Sequence, residues 1–115
     1  MFVLPQENEF IDRGFNFSQE HDLDEAVISY VRTYQDDFEL KITFDIGLTS
    51  SVYVSLLKSK HPLSQVTVEC IEDISFQSWN GERILRFSDV QGKIDLRIHY
   101  EPKASIYLSS LSSGC

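Results

Sequence analysis

Cysteine, glycine and basic residues are all scarce in this 115-residue chain, and each shortage excludes something. Two cysteines, Cys70 and Cys115, cannot build a disulfide framework or a thiolate metal site. Cys70 alternates with Val66 and Val68 and reads as a small buried hydrophobe; a bridge between the two cysteines stays open as the alternative. The five glycines stand apart at 14, 47, 81, 92 and 114, so no phosphate-cradling loop exists, and no serine occupies a Gly-x-Ser-x-Gly elbow. No apolar run approaches the roughly 20 residues that would cross a bilayer. The start of the chain, Met1 to Pro5, has no lysine or arginine, and no signal peptide is expected there. Ten basic residues face 18 acidic ones, for a net charge of −8. Such a chain repels phosphate backbones and anionic lipid at long range, so nucleic acid and membrane are poor partners and a basic protein is a good one. The expected compartment is the cytoplasm.

What the chain does contain is material for a core. Hydrophobic residues make up 42%, and eight Phe, five Tyr and one Trp supply the aromatics. The length suits a single domain over 1–115, read as an acidic N-terminal segment (1–25), a β-sheet body (26–108) and a flexible Ser-rich tail (109–115). Residues 1–40 carry ten acidic and two basic side chains, net −8, while 41–115 carry eight of each. The whole excess of negative charge therefore sits in the first third of the chain.

The pattern beyond the acidic segment has a period of two. Phe38, Leu40, Ile42, Phe44 and Ile46 alternate with Glu39, Lys41, Thr43 and Asp45, as in a half-buried strand. With the β-branched and aromatic run from Ala26 to Tyr34, and turn chemistry at Gln35-Asp36-Asp37, residues 26–46 predict a hairpin. Val52–Leu57 predicts a third strand, with Lys60-His61-Pro62 as its stop, and Val66–Ile71 a fourth. Asn80-Gly81 suits a type I′ turn, which would set Trp79 opposite Glu82, Phe76 opposite Leu85 and Ile74 opposite Phe87. A loop at Gln91-Gly92 would place Phe87 opposite Leu96 and Leu85 opposite Ile98. A three-residue loop, Glu101-Pro102-Lys103, would then bring Ala104, Ile106 and Leu108 to the same apolar face. The only helical stretch expected is a short turn near Gln19–Asp24 with Ser18 as its cap. The fold class is mainly β: an antiparallel meander forming a sandwich or half-barrel.

Few residues look chemical. His21-Asp22-Leu23-Asp24-Glu25 is the one dense group of potential ligands, but in an extended segment these side chains do not converge, and an acidic helix N-terminus or a plain solvated turn is the preferred reading. His61 reads as loop surface, and His99 as a polar residue on the outward face of its strand. No nucleophile, base and orienting group fall into a recognisable arrangement, so the chain is read as a non-enzyme without cofactor or metal. Trp79, opposite the apolar face, is either an interface anchor or is covered by the N-terminal segment through Phe10, Phe15 and Phe17.

Taken together, the His21-Asp22 pair before a strand, the hairpin through Phe38–Ile46, the late Trp79 before a strand, and the Gln91-Gly92-Lys93-Ile94-Asp95-Leu96-Arg97-Ile98 strand followed by Tyr107-Leu108 resemble small β-rich bacterial immunity proteins of contact-dependent inhibition and polymorphic toxin systems. The nearest family is immunity protein fifty, over roughly residues 20–110. The resemblance implies a protein that binds a cognate toxin domain and covers its active site or substrate surface. For a basic, nuclease-like toxin, acidic side chains would speed the encounter, and a few aromatic anchors would prolong the complex. On that reading Glu20, Asp22, Asp24, Glu25, Asp36 and Asp37 form one steering face, with Tyr30, Tyr34 and Trp79 as anchors. A small-molecule-binding β-barrel and a structural or assembly module are the alternatives.

Overall fold

The computed structural model describes residues 4–46, 51–89 and 94–110, and it is mainly β with one short helix. The chain divides into two compact units, one spanning Pro5–Glu69 and the other built on the chain from Cys70 onward. Each unit contains one antiparallel sheet whose strands follow one another in sequence order. Among the described residues neither sheet closes on itself, and the mainly β, antiparallel class is as the sequence predicts.

The first unit holds the helix α1 (Glu7–Ile11) and strands β1 (Asn16–Phe17), β2 (Val27–Thr33), β3 (Phe38–Asp45), β4 (Ser51–Lys58) and β5 (His61–Val68). The 26–46 hairpin forms as its alternation predicts, with Tyr30 opposite Ile42 and Ser29 opposite Thr43. Its apolar face, with Leu40, Ile42, Phe44, Val52 and Val54, is fully buried. Phe10 and Phe15, from α1 and the turn after it, join that core. Phe10 stacks on Tyr30 at 4.0 Å and meets Phe15 edge-on at 5.7 Å. The acidic N-terminal segment is thus part of the sheet's own packing, contributing both a helix and an edge strand.

Three expectations about the chain up to Cys70 are corrected. The helix lies at Glu7–Ile11, while the 19–24 region contains only a 3₁₀ turn, Leu23–Glu25. Its cap is Asp22, whose carboxylate accepts from the N–H groups of Asp24 (3.1 Å) and Glu25 (3.4 Å). Pro62 does not end the sheet: Leu57 pairs with Pro62, and Lys58 with His61. The turn is instead Ser59-Lys60, both at positive φ (51° and 68°). Pro62 is tolerated because β5 is an edge strand, where a missing N–H can face away from the ladder, and a register shift at Leu56/Leu57 marks the adjustment. Cys70 lies beyond β5, half-buried at φ 63°, and is disulfide-bonded rather than a buried thiol; Cys115 lies outside the described residues.

The second unit holds β6 (Asp73–Trp79), β7 (Glu82–Ser88), β8 (Ile94–Glu101) and β9 (Ser105–Ser110). Its registers are those the turn residues predict: Trp79 with Glu82, Phe76 with Leu85, Ile74 with Phe87, Phe87 with Leu96, Leu85 with Ile98, and Ile98 with Ile106. Asn80 (φ 52°) and Gly81 (φ 77°) make the tight turn, while Gln91-Gly92 lies outside the described residues. Strand β9 continues through Ser109 and Ser110, where a tail was expected. His99 and Ile84 face each other on the outward side, yet both are buried; a register shift at Arg83/Ile84 accompanies them. The His99 ring sits edge-on to Tyr107 (4.8 Å), and its Nδ1 is 3.2 Å from Glu82 Oε1.

Candidate functional site

The first unit carries twelve acidic and five basic residues, net −7, against −1 for the rest of the chain. The sequence-predicted steering residues all belong to that unit and are all exposed, but they do not form one face. Asp22, Asp24 and Glu25 lie at the Val27 end of β2, where Asp22 bridges to Val27. Asp36 and Asp37 lie at the other end, in the turn that joins Thr33 to Phe38. Seven residues of strand separate the groups by roughly 20 Å. That is more than twice the roughly 8 Å screening length at physiological salt, so each group presents its own field.

Glu20 is withdrawn from the steering set. Its carboxylate accepts from Lys41 Nζ at 2.8 Å and from Ser18 Oγ at 2.8 Å. The Lys41 bond is the main reason its carboxyl titrates below the ordinary value, against the opposing effect of burial. Behind it the Ser18, Ser29 and Thr43 hydroxyls link in a row, and Ser29 is fully buried. His21 completes the arrangement: its Nδ1 accepts from Ser29 N–H at 3.2 Å, and its ring lies against Phe17 at 4.2 Å. An imidazole that accepts at Nδ1 carries its proton on Nε2. These groups hold the 18–25 loop on the outward face of β2 and β3. Among the described residues, no three His, Cys, Asp or Glu side chains converge as a metal site would require.

The anchors separate as well. Tyr30 is only 3% exposed, committed to Phe10 and Phe44, and cannot meet a partner. Burial also pushes its phenol above 10.0, aided by the negative charge of Glu7. Tyr34 is half-buried, with the Arg32 guanidinium 4.9 Å from its ring centre. Trp79 is 52% exposed at the β6–β7 turn; of the three phenylalanines in the covering alternative, Phe10 and Phe15 are buried in the first unit's core and Phe17 is itself exposed.

At the Asp36–Asp37 end the structure adds what sequence reading missed. An open cleft of about 370 Å³ lies between the β2–β3 and β4–β5 turns, lined by Thr33, Tyr34, Asp37, Phe38, Glu39, Ser59 and Lys60. Ser59 N–H donates to the Asp37 carbonyl at 3.0 Å, tying the two turns together. Asp36 and Asp37 both adopt the left-handed backbone (φ 61° and 62°), which Asp tolerates better than most residues. Lys60 Nζ reaches both Glu39 oxygens, at 3.0 and 3.1 Å. The signal in the sequence was faint: Asp36-Asp37 and Ser59-Lys60 are 23 residues apart, and only the pairing of β3 with β4 makes them neighbours. The cleft offers acceptors and aromatic faces, a surface suited to binding a cation. No helix among the described residues is long and apolar enough to cross a membrane. No family model, curated protein or solved structure matches the chain.

Proposed function

We propose that this protein is a bacterial immunity protein, which binds a basic, nuclease-like toxin domain in the cytoplasm and covers its active site or substrate surface. It acts as a non-enzymatic binder, without cofactor or metal, and neither nucleic acid nor membrane is its partner. The observation that carries this reading is the net charge of −7 on the first unit, with exposed carboxylates at both ends of the β2–β3 hairpin. Such a field attracts cationic proteins and raises their association rate, while the half-exposed Trp79 and half-buried Tyr34 are the residue types that supply binding lifetime.

The experiment is co-expression with the C-terminal domain encoded by the gene immediately upstream. The expected result is restored growth and an isolable complex whose association slows as salt rises. A domain that is not basic, or one that remains toxic and unbound beside this chain, would remove the reading. One observation favours an assembly module as the second reading: β5 is a sheet edge, and its Leu63 is 58% exposed. Exposed edges invite strand addition. Symmetric oligomers of the purified chain in light scattering would support it.

A further inference from the structure

We infer that the cleft between the β2–β3 and β4–β5 turns receives an arginine side chain of the basic partner, which displaces Lys60 from Glu39. The inference rests on the inhibitor reading and supplies its point of contact. The residues that line the cleft already attract cations from their own chain. Lys60 sits on the Glu39 carboxylate, Arg32 lies over the Tyr34 ring, and Lys58 lies 5.1 Å from the Phe38 ring centre. Acceptors and aromatic faces are both taken up by positive charge.

Lys60 is a weak occupant. Its side chain is 83% exposed while Glu39 is 15% exposed, so the carboxylate is sheltered and its counter-ion is not. The ammonium end of this pair lies in solvent, where Lys60 is open to exchange. An ammonium is a point charge, whereas a guanidinium is a planar fork that bonds both carboxylate oxygens and stacks on aromatic rings. Arginine therefore matches the Glu39 carboxylate, which it can meet with two parallel N–H bonds, better than the resident lysine does. Asp37, also on the cleft wall, and exposed Asp36 beside it leave negative charge to receive the incoming cation while Lys60 swings into solvent. The volume of about 370 Å³ is ample for one such side chain.

The test is an NMR titration of the full chain with a Gly-Arg-Gly amide peptide, with Gly-Lys-Gly amide as the comparison. Saturable shifts are expected at Tyr34, Phe38, Glu39 and Lys60, with the lysine peptide weaker by roughly threefold. Lys60→Gln should tighten the arginine peptide by roughly threefold, because a competitor is gone, and Glu39→Gln should weaken it roughly tenfold. The two variants move in opposite directions, so a general loss of structure cannot imitate the result. Shifts equally large at Asp22 and Asp24, or affinity indifferent to Glu39, would overturn the inference. No toxin is needed for this titration. If the peptide seats in the cleft but no toxin domain binds the chain, the inhibitor reading fails alone. If a toxin binds with an affinity unmoved by Glu39→Gln and Lys60→Gln, the cleft assignment fails alone.

Discussion

Two glycines with similar backbones carry different burdens. Gly81 (φ 77°) has open space where a Cβ would go, so Gly81→Ala meets only the left-handed penalty, about 1 kcal/mol. At Gly14 (φ 89°) the added carbon would stand 2.9 Å from Arg32 Nε, an atom fixed by its bond to the Arg13 carbonyl at 3.1 Å. Gly14→Ala should therefore cost about 2 kcal/mol or more, and paired urea melts of the two variants would show the larger loss at Gly14. Tyr30 yields a pH dependence. Its phenol is held above 10.0 in the fold by burial, so the stability it contributes is complete below pH 10.0 and is lost as pH rises through the higher folded value. Tyr30→Phe should flatten the alkaline limb of the stability curve, measured by denaturant melts on either side of pH 10.0.

At the scale of elements, α1 is too short to persist alone and exists because Phe10 is buried against the sheet. Phe10→Ala should cost about 3–5 kcal/mol, and thermal unfolding followed by near-UV circular dichroism would register it. Little in the sequence announces this helix, since five residues make fewer than two helical turns. The strands were legible where alternation and turn chemistry agreed, as in Phe38–Asp45 and around Asn80-Gly81. Reading failed at Pro62 because edge position, not residue type, decides whether a proline can join a strand. It failed at Ser59-Lys60 because neither residue signals positive φ; the pairing of β4 with β5 imposes it.

For the molecule as a whole, the charge asymmetry is real but divided. Neutralising Asp36 and Asp37 to Asn, or Asp22 and Asp24 to Asn, should each slow association with a cationic partner, and their effects on the logarithm of the rate should add. Stopped-flow measurements at low and physiological salt would check this; strong non-additivity at physiological salt would mean the two groups act as one face. Asn is suited to the left-handed backbone at 36 and 37, so the first pair should fold normally.

Alternation and turn residues, which act between near neighbours in the chain, were enough by themselves to set the mainly β class, the hairpins and most of their registers. So was the sign of the charge, which is a sum over side chains and needs no geometry. The tertiary structure alone decided that Tyr30 is core, that Glu20 is neutralised by Lys41, that the carboxylates part into two groups, and that Glu39 and Lys60 meet across a cleft. Each of these depends on which strands lie side by side, and residues distant in sequence meet only once the sheet has formed.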